Sequence, residues 1–251
     1  MQTSDPAQAK RAPHAILDAS SRNHKAQKIA AILSRRLDMR GKRILDIGAG
    51  SGHIARYLAS QVGPEGEVVA VDQIKPLQTD GISFVRISGE ILPFSGSDFD
   101  VVITNHVIEH VGLRDAQLRH LQEIARVLKP GGMVYLAVPN RWQVMEHHFG
   151  LPLLSWLPLP LASYYVRLTG RGSHYDCTPL SRRALLGLFR EAGLSAQDVT
   201  LEALRLMARD EMTGPKGWIL ARLPSAFLRP FMTFIPTHVV TGTPIKGATA
   251  P

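Results

Sequence analysis

The chain has 251 residues, 45% of them hydrophobic and 20% charged, with a net charge of +8; that composition excludes a wholly disordered chain or a membrane-embedded bundle and permits one well-buried core. A single cysteine, Cys177, excludes an internal disulfide framework and a four-cysteine zinc site, and fits a reducing compartment. The charge is uneven: residues 1–43 hold ten basic against three acidic side chains, residues 44–140 seven against eleven, and residues 141–251 twelve against seven. Basic flanks around an acidic centre suit an anionic substrate, an anionic membrane surface or nucleic acid, and equally a basic protein kept soluble by its charge.

Residues 1–22 are polar and proline-containing and read as a loose arm. The first 30 residues lack the apolar run of a signal peptide, so none is expected there. Asn23 is the expected cap of a helix from about His24 to Leu37, with Ile29, Ile32, Leu33 and Leu37 on one face. That helix is expected over the sheet edge or a ligand cleft. Ile44, Leu45 and Ile47 then make a short buried strand, and Gly48, Gly50 and Gly52 alternate before a helix opening at His53. Without a Cβ, such a turn can be tight, and a ligand can lie on the main chain and on the unpaired N–H groups of the helix start. Alternating glycines alone could belong to any α/β turn.

Glu67 to Val71 reads as a second strand ending in Asp72. A carboxylate about 20–25 residues past a glycine turn stands where ribose hydroxyls lie, and an ionised Asp accepts from both. Ile82 to Ile87 is a third strand, followed by Ser88-Gly89-Glu90 and an apolar anchor at Phe94. Phe99 to Thr104 is a fourth strand, buried on both faces. Asn105 to Val111 crosses the carboxyl end of the sheet. A helix over Leu113 to Leu128 ends at Lys129-Pro130-Gly131-Gly132, and Met133 to Val138 is a fifth strand. This alternation predicts an α/β fold with a parallel sheet wound by right-handed crossovers.

A long insertion follows, Gln143 to Pro179, apolar, aromatic and proline-broken, as a lid or acceptor pocket would be. Phe149 to Val166 carries no charge, but Pro152, Pro158 and Pro160 break any spanning helix. Its polar groups are Glu146, His147, His148, His174, Tyr175 and Asp176. His147 or His174 could serve as a base, while His106 and His110 lie nearer the glycine turn along the chain; each histidine could also be structural. Glu146, His147, His148 and His174 match no standard metal spacing, so no metal is expected. Leu180 to Ala192 reads as a helix capped by Gly193, and Val199 to Leu204 as a sixth strand or a helix start. Trp218 to Phe234 reads as a second cover that is either core packing or rests on a membrane surface. Thr237 to Thr241 is the last strand, with residues 242–251 frayed. One domain over 23–251 is therefore expected, with a lid at 141–179 and an apolar cover at 214–235.

ILDIGAGSG, VVAVD, GEILPF, FDVVITNHVIEHV and LKPGGMVYLAVPN, in that order, together resemble class I S-adenosylmethionine-dependent methyltransferases. The resemblance is close over residues 25–140. The third glycine follows the second by two residues rather than three, which separates the turn from the dinucleotide fingerprint. The insertion, with Pro-Asn-Arg, acid-His and Leu-Pro-x-Leu elements, resembles a subset associated with cell-surface polysaccharide or lipid-linked metabolism. What the resemblance implies is a doubly wound, Rossmann-like sheet of seven mostly parallel strands, the last antiparallel, with S-adenosylmethionine as methyl donor. It implies that Asp46, Gly48, Ala49, Gly50 and Gly52 face the methionine part and Asp72 takes the ribose hydroxyls. Gln73 would lie against the adenine, Ser88 and Gly89 along its edge, and the main chain at Asn105 at the ammonium. Ser88 departs from the aspartate many relatives carry. The expected acceptor is a small or lipid-linked, anionic molecule methylated at oxygen, with His147, His174 and His106 as candidate catalytic residues. A cytoplasmic enzyme, in peripheral contact with membrane, is expected. RNA or protein methylation is the alternative, without an aromatic-basic nucleic-acid motif to support it; a third reading is a cofactor-binding protein without catalysis.

Overall fold

The computed structural model describes residues 19–74, 80–212 and 214–245. Its centre is a seven-stranded sheet built from β1 (Arg43–Ile47), β2 (Glu67–Asp72), β3 (Ser83–Arg86), β4 (Phe99–Asn105), β5 (Leu128–Pro139), β8 (Gln197–Asp198) and β9 (Thr237–Gly242), in the order β3-β2-β1-β4-β5-β9-β8. A separate hairpin, β6 (Met145–Glu146) with β7 (Leu151–Pro152), lies in the insertion. Strands β1 to β5 pair in parallel. Only β9 is reversed, pairing antiparallel to β5 on one side and to β8 on the other. The strand order turns round between β1 and β4, which opens a crevice at their carboxyl ends.

Alternation along the strands supplies both faces. Leu45, Ile47, Val69, Val71, Val102, Val134 and Leu136 pack one way, under α3 (Arg114–Val127) and α5 (Arg182–Glu191), which contribute Leu121, Ile124, Leu185 and Phe189. Ile44, Val68, Ala70, Val101, Ile103 and Tyr135 pack the other way, under α1 (Ala19–Ser34), α2 (His53–Val62) and α6 (Thr200–Asp210). Both faces are covered, so the central strands read as near-continuous apolar runs.

Three expectations need adjusting, and one open reading closes. Helix α1 begins at Ala19, so Asn23 sits exposed within it and is no cap. Buried Ala26, Ile29, Ala30 and Leu33 hold this helix against α2 and α6, on a sheet face rather than over an edge, and such packing outweighs local propensity. Arg35 and Arg36 fasten it further to Glu202 at 2.8 and 2.6 Å. Of the two readings for Val199 to Leu204 the helix start is the one found: α6 opens at Thr200 with Val199 at its cap, and Val199, Ala203 and Leu206 are buried on one face; the strand there is only Gln197–Asp198. Residues 243–245 are bonded rather than frayed, with Ser195 N–H donating to Thr243 O and Ile245 N–H to Gly193 O, both at 2.9 Å. The remaining residues of the expected N-terminal arm and frayed end, 1–18 and 246–251, lie outside the described residues.

The insertion has a small core of its own, Leu151, Leu154, Ala162, Val166, Tyr175 and Cys177, formed by the hairpin, α4 (Leu159–Leu168) and the strand-like stretch after it. Its mouth is tied to the second cover. Fully buried Asn140 donates through Nδ2 to Thr233 O at 2.7 Å and Ile235 O at 2.8 Å. Trp156 stacks on Phe234 and meets Trp142 edge-on. The expected lid and cover are therefore one continuous structure.

Candidate functional site

The turn after β1 is built on backbone that only glycine adopts freely. Gly48, Gly50 and Gly52 have φ of +70°, +55° and +79°. The Gly48 N–H donates to Val71 O at 2.8 Å, and a Cβ added there would lie 2.4 Å from Val107 Cγ2. The glycine turn is thus wedged between the end of β2 and the segment after β4. Asp72 braces it from the neighbouring strand: Oδ2 accepts from Gly50 N–H at 2.8 Å and Oδ1 from Ile74 N–H at 3.3 Å. Each oxygen keeps a lone pair for a further donor.

Asp46 lies beneath this turn, 1% exposed, and its Oδ2 has no hydrogen-bond partner among the described residues. Burial, then the nearby Asp72 charge, pushes its carboxyl up to about 7, against the pull of the Ala55 N–H. A buried carboxylate with an open oxygen is poised for a cation or a donor that the protein itself does not supply. Arg86 holds Gln73 in place through its carbonyl at 2.9 Å. Ser88 and Gly89 are exposed, and a Cβ on Gly89 would meet nothing within 4 Å.

Across the crevice, β4 ends at Asn105, and His106 follows in left-handed backbone at φ +59° with its N–H on Ala137 O. A non-glycine residue in that region is strained, and such strain gathers at functional sites. His106 Nδ1 lies 3.3 Å from Glu109 Oε1. The geometry falls short of a hydrogen bond, so fully buried Glu109 has no hydrogen-bond partner on either oxygen among the described residues. Thr178 stitches the end of the insertion onto this turn, its N–H and Oγ1 both donating to Glu109 O at 2.8 and 2.9 Å.

The matching family is described as "Methyltransferase domain", over residues 45–136. These are the glycine turn, Asp72, the His106 turn and the strands that carry them. Over residues 45–136 the chain is thus similar to methyltransferase domains. It is 35% identical over 127 residues to a ubiquinone/menaquinone biosynthesis C-methyltransferase of Coxiella burnetii, covering 45% of this chain and 48% of that one. It is 28% identical over 176 residues to a ubiquinone biosynthesis O-methyltransferase of Xanthomonas oryzae pv. oryzae, covering 67% and 69%. The chain thus spans about half the length of the Coxiella relative. Among solved structures it shares its fold with a SAM-dependent methyltransferase of Aquifex aeolicus, at TM-score 0.52 and 15% identity over 96% of this chain and 98% of that one. A SAM-dependent methyltransferase of Methanosarcina mazei gives TM-score 0.52 and 18% identity over 86% and 98%.

Around this site the candidate histidines separate. His106 is half-buried beside Glu109, at the carboxyl end of β4. His147 is exposed with Nδ1 3.0 Å from Met145 O, and His174 is exposed with Nδ1 3.0 Å from Ser173 Oγ. Their chain neighbours are the ones drawn inward. Glu146, 1% exposed, accepts from His148 Nδ1 at 2.9 Å and from Phe149 N–H at 2.7 Å. Burial raises the Glu146 carboxyl, yet these two bonds outweigh it and hold the group below its ordinary value, while the same bond raises His148. Buried Cys177 sits beside them, its thiol pushed up by burial and by the carboxylates of Asp176, Glu146 and Glu109. The sequence does show Glu-His twice, at Glu109-His110 and Glu146-His147, but not that the two segments meet.

Proposed function

We propose that this protein transfers a methyl group from S-adenosylmethionine to oxygen of a small or lipid-linked acceptor. The carrying observation is the glycine turn closed by Asp72 over the orphaned Asp46 oxygen, a cradle whose open acceptors suit such a group. Asp72 would accept from the ribose hydroxyls, with Gln73 beside the adenine and exposed Ser88 and Gly89 along its edge. Asp46 and the backbone of Gly48, Ala49, Gly50 and Gly52 would hold the methionine part, and the main chain at Asn105 its ammonium. When bound, the cofactor supplies an electrophilic sulfonium methyl. The protein's work is then to align the acceptor oxygen, exclude water and receive one proton. His106, with Nδ1 3.3 Å from a Glu109 carboxylate oxygen, is our candidate to take that proton. His147 and His174 stay candidates only if the insertion moves on acceptor binding.

Oxygen is favoured by the reach of the likeness: the O-methyltransferase relative aligns over 67% of the chain, the C-methyltransferase over 45%. Purified protein with methyl-labelled S-adenosylmethionine and a lipid extract should yield a labelled, base-stable product; label found only on carbon would reject the acceptor assignment. Failure of calorimetry to detect S-adenosylmethionine binding, with NAD as the negative control, would reject the whole reading.

A lipid-linked acceptor also accounts for the second cover. It exposes Trp218 (60%), Phe227 (66%) and Phe231 (64%) on α7 (Pro215–Arg222), α8 (Ser225–Leu228) and the 3-10 turn that follows. Exposed Lys216, Arg222 and Arg229 lie among them, and Arg222 packs over the Trp218 ring at 4.5 Å. No helix among the described residues is long and apolar enough to cross a membrane. Apolar residues interleaved with arginine suit the surface of an anionic bilayer, on the cytoplasmic side. The protein should float with anionic vesicles, and Phe227→Asp with Phe231→Asp should release it; wild-type protein left at the bottom of the gradient would reject this contact.

A further inference from the structure

Three segments far apart in the chain bring metal-ligand side chains together beneath the insertion. The turn after β4 supplies His110, the hairpin supplies Glu146 and His148, and the stretch before α5 supplies Asp176 and Cys177. Cys177 Sγ lies 3.7 Å from His148 Nδ1, 3.8 Å from His110 Nδ1 and 3.8 Å from Asp176 Oδ1. Around a tetrahedral zinc ion with ordinary Zn–S and Zn–N bonds, sulfur and nitrogen ligands sit about 3.6 Å apart. Each pair is thus at the separation of two ligands on one ion, a length that hydrogen bonds to sulfur also reach. The sets Glu109–His110–His148, His110–Asp176–Cys177 and Glu146–His148–Cys177 each place one donor atom per residue within 4.8 Å of the others.

A second observation points to the same place. Glu109, fully buried, has no hydrogen-bond partner on either oxygen among the described residues, within 4.8 Å of donor atoms of His110 and His148. Its charged neighbour is His106, 3.3 Å away, and its negative charge adds to the field that draws a cation toward His110 and His148. With Glu146 and Asp176, Glu109 gives the cluster three acidic side chains.

We propose that Cys177, His148 and Glu146, whose donor atoms already lie within 4.8 Å of one another, bind a zinc-class divalent cation with His110 turning in as the fourth ligand, and that the ion fastens the acceptor insertion to the sheet. One thiolate and two imidazoles select zinc over magnesium or calcium, which want oxygen alone. Four protein ligands close the coordination sphere, so the ion is structural and the transfer is not routed through it. Binding releases the thiol proton of Cys177 to solvent and exchanges the Glu146–His148 hydrogen bond for bonds to the ion. A surface pocket of about 120 Å³, lined by Leu159, Tyr175, Asp176, Cys177 and Thr178 among others, opens beside the thiol. The spacing along the sequence hides the set, because no two of its segments are neighbours in the chain.

The test uses tag-free protein, stripped with chelator and offered Zn²⁺ in the presence of excess Mg²⁺. About one equivalent of zinc should remain through gel filtration, and Cys177→Ser and His110→Ala should each weaken binding at least about 100-fold. His174→Ala, outside the cluster, should bind as wild type does. Co²⁺ added to the wild-type protein should give a thiolate-to-cobalt charge-transfer band, which decides the matter even where a variant fails to fold. No such band, zinc lost on gel filtration, magnesium retained in its place, or zinc kept equally by Cys177→Ser would each overturn the site. None of these readouts needs S-adenosylmethionine, so this inference and the proposed function fail separately.

Discussion

Replacing Asp72 with alanine is expected to weaken S-adenosylmethionine binding by about two to four orders of magnitude. A hydrogen bond to a charged group contributes about 1.5–3 kcal/mol, and two ribose donors would be lost together. The same change removes the brace on Gly50 N–H at 2.8 Å, so the glycine turn loosens as well. Asp72→Asn separates the two effects. An amide oxygen can still accept from Gly50, while its NH₂ group faces one ribose hydroxyl with a donor instead of an acceptor. Calorimetry should therefore place Asp72→Asn between wild type and Asp72→Ala. Equal affinities in all three proteins would remove Asp72 from the site.

Affinity for S-adenosylmethionine should rise with pH between 5.5 and 7.5, by roughly 20- to 30-fold, if binding the cationic donor requires Asp46 to be ionised with its carboxyl near 7. Asp46→Asn should bind weakly and with a flat profile over that range; parallel profiles in the two proteins would sink the assignment. The stability of the free protein moves the opposite way. The folded-state pKa is raised, so between about pH 4 and 7 the folded state keeps a proton that the unfolded chain has lost. Stability contributed at this position is full below about pH 4, falls as pH rises through that window, and stays lost above it. Thermal unfolding of Asp46→Asn should accordingly gain on wild type as pH increases. The cofactor and the fold thus pull this carboxyl in opposite directions, as expected of a group kept for binding rather than for packing.

Most of the sheet and the whole glycine turn were legible in the sequence, because both are written in local pattern. Ile44 to Ile47, Val68 to Val71 and Val101 to Ile103 are apolar runs that suit only a strand covered on both faces, and glycine marks the backbone that no other residue takes easily. The start of α1 was not legible. Asn23 offers a cap by its chemistry, but the helix is held by buried Ile29, Ile32 and Leu33 against elements that come much later. Val199 to Leu204 stayed open between strand and helix start for a related reason: a short β-branched and apolar run suits either state until its neighbours choose. In the candidate site the split is similar. Asp46, Asp72 and the glycines lie in one continuous β1–α2–β2 unit, so order along the chain nearly gives their geometry. His110, His148 and Cys177 come from three segments joined by loops, and only contacts such as Thr178 on the Glu109 carbonyl show that they meet. Spacing along the chain pointed to His147 and His174, each one or two positions from a residue that the fold turns inward.

The reversed strand β9 has a consequence for how this molecule is made. It lies between β5 and β8 and bonds to both, yet it is synthesised after each of them. Until it emerges, β5 presents an unsatisfied edge along Val134 to Pro139, and β8 has nothing to pair with. A nascent chain therefore passes through a period with five parallel strands assembled and one bare, apolar margin, the kind of surface that recruits chaperones or other nascent copies. Closing that margin also brings the second cover into place, because Asn140, just beyond β5, holds the carbonyls of Thr233 and Ile235 just ahead of β9.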